Sequence, residues 1–151
     1  MDNNETPEVN YLANDYKAPL NYATVGQRFL NYIIDLISFY LLFIGLTAAI
    51  TVISGNMNFA NALGEMNPIL DRLMTLVLFA TYVGIVEGVT GGKTLGKLIT
   101  STRAVYEDGT RIEFSTGFLR GLSRAVPFEA FSAFGGHPWH DRWTDTRVVK
   151  E

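Results

Sequence analysis

The feature that most constrains this chain is one long apolar run, residues 29–53, which reads FLNYIIDLISFYLLFIGLTAAITVI and carries a single formal charge, Asp35. At about 1.5 Å per residue, a helix of this length crosses a hydrocarbon core of about 30 Å with some tilt. A buried helix of a water-soluble domain is the alternative. The rest of a 151-residue chain offers too little material to cover such a helix. The run therefore predicts a transmembrane helix.

A second apolar run follows at residues 73–89, with the sequence LMTLVLFATYVGIVEGV. About 17 residues is the short limit for a membrane span, and Ile69 and Leu70 extend the run at its start. We therefore expect a second transmembrane helix over residues 73–90. Between the two runs, residues 54–68 predict a loop that contains Gly, Asn and Pro.

The next segment, LITSTRAVYEDGTRIEF, alternates apolar and polar residues around a central Asp-Gly dipeptide. This dipeptide between β-branched runs is the strongest short-range signal for a hairpin. Residues 98–106 should therefore pair with residues 110–114, which predicts a small β-hairpin over residues 98–114. Near the end of the chain, residues 146–149 form a further β-like run that could add a third strand.

A third helical stretch is predicted over residues 116–134. Its apolar residues lie near one face, whereas Arg120 and Arg124 lie four residues apart on another face, so the helix is amphipathic. Pro127 interrupts the stretch, and proline removes an internal hydrogen bond and kinks a helix. The stretch is therefore more polar than the two apolar runs that precede it.

The distribution of Lys and Arg predicts how the chain is oriented in the membrane. Only Arg72 marks the loop between the two apolar runs. The opposite flanks carry several cations: Lys17, Arg28, Lys93, Lys97, Arg103 and Arg111. We therefore expect a cytoplasmic hairpin and a cytoplasmic N-terminus, with residues 1–20 as a disordered tail. A complete third crossing would move Arg142, Arg147 and Lys150 outside, so we expect an interfacial or half-inserted third helix, with a third span as the alternative.

Composition and one glycine-rich motif exclude several functions. The net charge of −3 gives no general basis for nucleic-acid binding, and the absence of cysteine excludes disulfides, zinc–thiolate sites and cysteine nucleophiles. The motif GGKTLGK at residues 91–97 resembles a nucleotide-binding phosphate loop. In one register, however, Leu98 replaces the required Ser or Thr, and in the other Glu87 replaces the first glycine. We therefore expect no nucleotide and no cofactor, with Lys93 and Lys97 near the lipid headgroups.

Four polar residues of the first helix share one face, because Arg28, Asn31, Asp35 and Ser38 follow helical spacing. Glu87 lies at a comparable depth near the end of the second helix, which makes an Arg28–Glu87 pair geometrically plausible. One interpretation is an ion or proton pathway, in which Asp35 titrates or binds a cation with Arg28 and Glu87 as charge partners. The other interpretation is a buried pairing network that holds the helices together.

The motif HPWHDRWTDT near the C-terminus is the other concentration of polar residues. It contains four potential metal ligands: His137, His140, Asp141 and Asp145. Their spacing matches no standard metal site, and no nucleophile accompanies them for catalysis. The preferred interpretation is an anchor, in which Trp139 and Trp143 lie at the membrane interface. Asp141 would then pair with Arg120 or Arg124.

Taken together, these residues resemble the RDD family of bacterial membrane proteins, whose name refers to an arginine and two aspartates. Arg28 at the head of the first helix matches the family arginine. Asp35 in IIDL matches the first aspartate, and Asp141 in HDRWTDTRVV matches the second. The segment GGKTLGKLITSTRAVYEDGTRIEF resembles the family's connector, and Arg120 fits an arginine that the family tends to carry in the next helix. The resemblance covers residues 22–149.

The resemblance implies a location in the bacterial cytoplasmic membrane and leaves the activity open. Some family members are suggested to move ions, including sodium–proton antiport, and others are fused to unrelated domains. We therefore predict a mainly α membrane protein with two transmembrane helices, a third amphipathic or half-inserted helix and a small cytoplasmic hairpin. The predicted function is transport or cation/proton exchange, with a non-catalytic structural or interaction module as the alternative. The expected partners are the lipid bilayer, a second copy or other membrane proteins, and Na⁺ or H⁺.

Overall fold

A computed structural model of the protein describes residues 20–55, 57–126, 132 and 138–151. The described elements, in chain order, are α1 (Val25–Ser54), α2 (Asn58–Gly64), α3 (Pro68–Val89), α4 (Leu95–Ile99), β1 (Thr102–Tyr106), α5 (Phe114–Ser123), α6 (Trp139–Trp143) and β2 (Thr146–Lys150). The mainly helical fold with a small antiparallel sheet is confirmed. Outside the described residues lie the predicted tail at residues 1–19, the kink at Pro127 and His137.

The long helix α1 begins and ends at residues suited to those positions. The Thr24 side chain accepts a hydrogen bond from the Gln27 amide at 3.2 Å, and the Gln27 side chain accepts one from the Thr24 amide at 3.0 Å. This reciprocal capping box satisfies backbone donors that lack partners in the first turn. At the other end, Gly55 adopts a left-handed conformation with φ of 63°, which glycine reaches at little cost.

Both α1 and α3 are long and apolar enough to cross a membrane, as predicted. Much of their apolar surface is uncovered: the side chains of Leu41, Val52 and Ile53 are 69%, 80% and 86% exposed. A soluble monomer rarely exposes apolar surface of this extent, whereas lipid covers it at no cost. The two helices meet through a small aromatic core, in which the rings of Phe39 and Phe79 lie 5.5 Å apart.

Glycines bring α3 and α5 into backbone contact. A Cβ atom added at Gly117 would lie 2.6 Å from the Cα atom of Gly88, and one added at Gly121 would overlap the backbone of Gly84. Because Gly84 lies opposite Gly121 and Gly88 opposite Gly117, the two helices are antiparallel. Small residues four apart on both helices allow the close approach that stabilises helix pairs in membranes. Helix α5 therefore runs back along α3 from the end of that helix.

The sheet consists of β1 and β2, which pair antiparallel from Thr102 opposite Lys150 to Tyr106 opposite Thr146. β2 is also hydrogen-bonded to the segment before α1, because the Ala23 amide donates to the Val148 carbonyl at 2.9 Å. The start of α1, the end of α3 and β2 thus lie at one end of the molecule. The chain enters α5 at this end, and α6 also lies there through its contact with β2; the insertion of the third helix in the membrane stays a prediction.

The pairing within the sheet differs from the predicted hairpin. The Asp-Gly turn forms, with Gly109 at φ of 84° and the Tyr106 amide donating to the Thr110 carbonyl at 2.9 Å. After the turn, however, the returning chain makes one isolated bridge, from Arg111 to Val105, before α5 begins at Phe114. The C-terminal run, predicted as an added third strand, is the actual partner of β1. The start of the predicted hairpin, residues 98–99, belongs to α4 instead.

Candidate functional site

The glycine-rich turn after α3 brings α4 against the first helix. Gly91 and Gly92 adopt φ angles of 62° and 104°, which residues other than glycine rarely adopt. A Cβ atom at Gly96 would lie 2.6 Å from the Cα atom of Asn31, so α4 and α1 touch through their backbones. This contact buries the neighbouring Lys97, whose side chain is 2% exposed. Lys97 is therefore enclosed by the protein, and its level relative to the lipid headgroups stays a prediction.

Glu87, near the end of α3, is fully buried and meets three cations. Its Oε1 atom lies 2.7 Å from Lys97 Nζ and 2.6 Å from Arg120 Nε, and its Oε2 atom lies 3.5 Å from Arg124 Nη2. A buried carboxylate without such partners would be very costly. Burial, reinforced by Arg120 and Arg124 and opposed by Glu87, lowers the pKa of Lys97 to about 8.

Asp141, in α6, is the second buried carboxylate at this end of the molecule. Arg28 Nη1 lies 2.5 Å from its Oδ2 atom, and Arg120 Nη1 lies 2.8 Å from its Oδ1 atom. His140 Nε2 lies 3.4 Å from the same Oδ1 atom. Burial alone would raise the pKa of Asp141, but the attraction of Arg120, His140 and Arg28 holds it well below its ordinary value.

Arg120 connects the two buried carboxylates, because one guanidinium contacts both Glu87 and Asp141. It also donates a hydrogen bond to the hydroxyl of Thr146, the first residue of β2. The guanidinium has several donors in one plane, so a single side chain can bond to all three groups. We call the residues joined in this way the charge network: Arg28, Glu87, Lys97, Arg120, Arg124 and Asp141.

Asp35 is buried on α1 but lies apart from the charge network. Its Oδ1 atom accepts a hydrogen bond from the Gly96 amide at 2.8 Å, while Oδ2 has no partner within the described ranges. The adjacent Asn31 amide is hydrogen-bonded to the hydroxyls of Thr100 and Thr102. These contacts join α1 to the segment between α4 and β1.

The geometry of this end can be compared with known proteins. A family model of the RDD family matches residues 22–138, more than half of the chain. The chain belongs to the RDD family. It is therefore a membrane protein with apolar helices. No curated protein and no solved structure matches it. The matched segment ends before Asp141, so the Arg28–Asp141 ion pair joins the RDD segment to the chain that follows it.

The structure of this RDD protein contains one predicted pairing, that of Asp141 with Arg120, whereas the expected partners of Arg28 and Asp35 differ. Arg28 bonds to Asp141 and not to Glu87, whose carboxylate is occupied by Lys97 and Arg120. Asp35 has neither Arg28 nor Glu87 as an ion-pair partner in the described part of the chain, since its carboxylate faces the Gly96 amide.

Three other predicted residues lie outside the charge network. Lys93 forms a surface ion pair of 2.5 Å with Glu151. Hydrogen bonds from Lys93 and Arg103 lower the pKa of Glu151. Trp139 and Trp143 stack with their ring centroids 5.9 Å apart, and Trp143 is 59% exposed. Their position at the membrane interface stays a prediction.

Sequence reasoning missed two features of this RDD protein. The first is the glycine contact between α3 and α5, although the spacing G-x-x-x-G is visible at Gly84 and Gly88 and again at Gly117 and Gly121. The second is the burial of Lys97, which has no local signal because it depends on contacts with distant segments.

Proposed function

We propose that this RDD chain is a non-catalytic structural and interaction module of the bacterial cytoplasmic membrane, with its N-terminus in the cytoplasm. In this role the charge network fixes α5, α6 and β2 against the two spanning helices. The uncovered apolar surface of α1 then packs against other membrane helices, from a second copy or from another protein.

The double pairing of both buried carboxylates carries this proposal. Glu87 and Asp141 are each bonded to cations from at least two segments, and Arg120 bonds to both acids. Removing one member leaves a charge buried without its full compensation, so the arrangement favours one assembled state. Buried ion pairs with this geometry suit a fixed scaffold better than a carboxylate that must gain and lose a proton in each cycle.

The exposure of α1 supports the interaction role. Only Asn31, Asp35 and Phe39 are buried among the described residues of this 30-residue helix. The remaining apolar surface is available to lipid or to another helix, and van der Waals packing between helices drives association in membranes.

The test compares Glu87→Gln and Asp141→Asn with the wild-type chain, using protease resistance of residues 138–151 and ion flux in reconstituted vesicles. The proposal predicts that both variants expose the C-terminal segment to protease. It also predicts that wild-type vesicles show no flux above protein-free vesicles. Wild-type flux that is lost in variants with a protected C-terminal segment contradicts it.

A second candidate function is cation/proton exchange at Asp35, and one observation favours it. Asp35 is 1% exposed, lies on a helix long enough to span the membrane, and has a carboxylate oxygen without a partner within the described residues. Buried ionisable residues in spanning helices commonly mark ion or proton pathways. Na⁺ and H⁺ are the ions that a lone carboxylate would exchange.

The test is Na⁺ uptake driven by a pH gradient in vesicles that contain the wild type, Asp35→Asn or Asp71→Asn. Asp71 lies exposed in the first turn of α3 and provides a control with the same chemical change. Exchange at Asp35 predicts uptake in the wild type and in Asp71→Asn, with at least about tenfold less in Asp35→Asn. Absence of uptake in the wild type, or equal uptake in all three, rules this function out.

A further inference from the structure

A small cavity lies beside the charge network at the start of α1. Its volume is about 50 Å³, several times the ~10–15 Å³ that holds one water molecule. The side chains that line it include Arg28, Asn31, Tyr32, Lys97, Arg124 and His140. No carboxylate stands among the described residues that line the cavity, although its cationic groups are paired with Glu87 and Asp141.

The charges around the cavity are not balanced. Four cations of the charge network, Arg28, Lys97, Arg120 and Arg124, meet two carboxylates, Glu87 and Asp141. Asp35 adds a third buried carboxylate nearby, but its bonded oxygen faces the Gly96 amide. A positive excess therefore remains even when all three acids are ionised, and buried positive charge favours an anion.

Arg124 provides the second, independent observation. Its side chain is 9% exposed and lines the cavity, yet its Nε atom has no hydrogen-bond partner in the part of the chain that the structure describes. Its one ion pair, from Nη2 to Glu87 Oε2, is long at 3.5 Å. A buried donor without an acceptor is costly, so an oxygen-rich anion in the cavity would satisfy it.

The position of the cavity indicates the class of anion. Arg28 lies in the first turn of α1 and Lys97 in α4, at the end of the molecule where both apolar helices meet the sheet. This is the level at which lipid headgroups surround a spanning helix. Guanidinium groups match the oxygens of phosphate with paired hydrogen bonds.

We propose that this cavity binds a phosphate group through the guanidinium groups of Arg28 and Arg124 and the ammonium group of Lys97. The phosphate belongs either to a lipid headgroup or to a small soluble molecule, because both present the same oxygens. Binding fills the acceptor position next to Arg124 Nε and offsets the positive excess of the charge network.

The experiment uses the purified full-length chain in a neutral detergent and follows thermal unfolding by tryptophan fluorescence. Three probes are titrated at constant ionic strength: phosphatidylglycerol, phosphatidylcholine and inorganic phosphate. The proposal predicts a saturable rise in Tm. A rise with lipid alone identifies a headgroup, and a rise with inorganic phosphate identifies a soluble ligand. No saturable rise with any of the three overturns the proposal.

Two variants test the residues. Arg124→Gln should weaken the apparent affinity by about tenfold, the effect of one lost charged hydrogen bond. Arg72→Gln has the same charge change at an exposed position at the far end of α3 and should leave the affinity unchanged. If Arg124→Gln does not fold, Arg124→Lys keeps the charge but lacks Nε and should also bind more weakly. Undiminished affinity in the Arg124 variant overturns the proposal.

Discussion

Replacing Arg120 with methionine removes the guanidinium that bonds to both buried carboxylates and leaves a shorter, unbranched apolar side chain. Arg120 is fully buried, 2.6 Å from Glu87 and 2.8 Å from Asp141. Removing one partner of a buried ion pair costs about 3–5 kcal/mol. Glu87 keeps Lys97 and Asp141 keeps Arg28, so the two losses should not add in full. We therefore expect a loss of about 3 kcal/mol, near the lower end of that range for one pair.

Tryptophan emission is the natural assay, because Trp139 and Trp143, which flank Asp141 in α6, are the only tryptophans in the chain. For a chain of this size, about 3 kcal/mol lowers Tm by roughly 6–12 °C. Emission should also shift to longer wavelength at temperatures where α6 has left the charge network. The measurement is thermal unfolding of the purified protein in detergent micelles.

The matched control is Arg147→Met, which removes an arginine that is 29% exposed and lies 3.3 Å from the exposed Glu107. Surface pairs of this kind contribute at most about 1 kcal/mol. If the stability losses of Arg120→Met and Arg147→Met differ by less than about 1 kcal/mol, the charge network does not hold the C-terminal segment, and the reasoning from burial fails.

Further predictions concern packing, pH and the surface ion pair. Gly117→Ala places a Cβ atom 2.6 Å from Gly88, whereas the Cβ atom of the control Gly45→Ala meets no atom within 4 Å. Gly117→Ala should therefore lower stability by about 1–3 kcal/mol in thermal unfolding. Equal Tm values for the two variants would disprove the glycine contact. The pKa of Asp141 is held below its ordinary value of 3.8, so the unfolded chain binds this proton first as the pH falls. The stability of the wild type should therefore decline as the pH falls below about 4. In unfolding measured from pH 6 to pH 3, Asp141→Asn should lose less stability with falling pH than the wild type does. An identical decline in both would contradict the lowered pKa of Asp141. Glu151→Gln should lower the free energy of unfolding by less than about 1 kcal/mol, because Glu151 is an exposed partner of Lys93 and Arg103. A larger loss of stability that persists in high salt would contradict this expectation.

The membrane helices and the identity of the important charges could be predicted from sequence. Apolar length alone predicts α1 and α3, since a spanning helix needs about 20 apolar residues whatever packs around it. Arg28, Glu87, Arg120 and Asp141 are noticeable because ionised groups are rare near the hydrocarbon region and need compensation.

The pairing of Asp141 with Arg120 was predicted, but the other pairings could not be, because they depend on which distant segments meet. β1 could pair with the nearby residues after the Asp-Gly turn or with the C-terminal run, and local alternation is the same for both. The structure favours β2, because α5 begins so soon after the turn that the local return has no room for a strand. The expected Arg28–Glu87 pair is wrong for the same reason: Lys97 and Arg120 reach Glu87 only after α4 and α5 have packed.

The most direct test of the account is a double-mutant cycle between Arg28 and Asp141, whose atoms lie 2.5 Å apart. The variants are Arg28→Gln, Asp141→Asn and the pair together, and the measured quantity is the free energy of unfolding in micelles. If this ion pair holds the C-terminal segment on α1, the coupling energy should be at least about 1.5 kcal/mol. Losses that add to within about 0.5 kcal/mol would contradict the account.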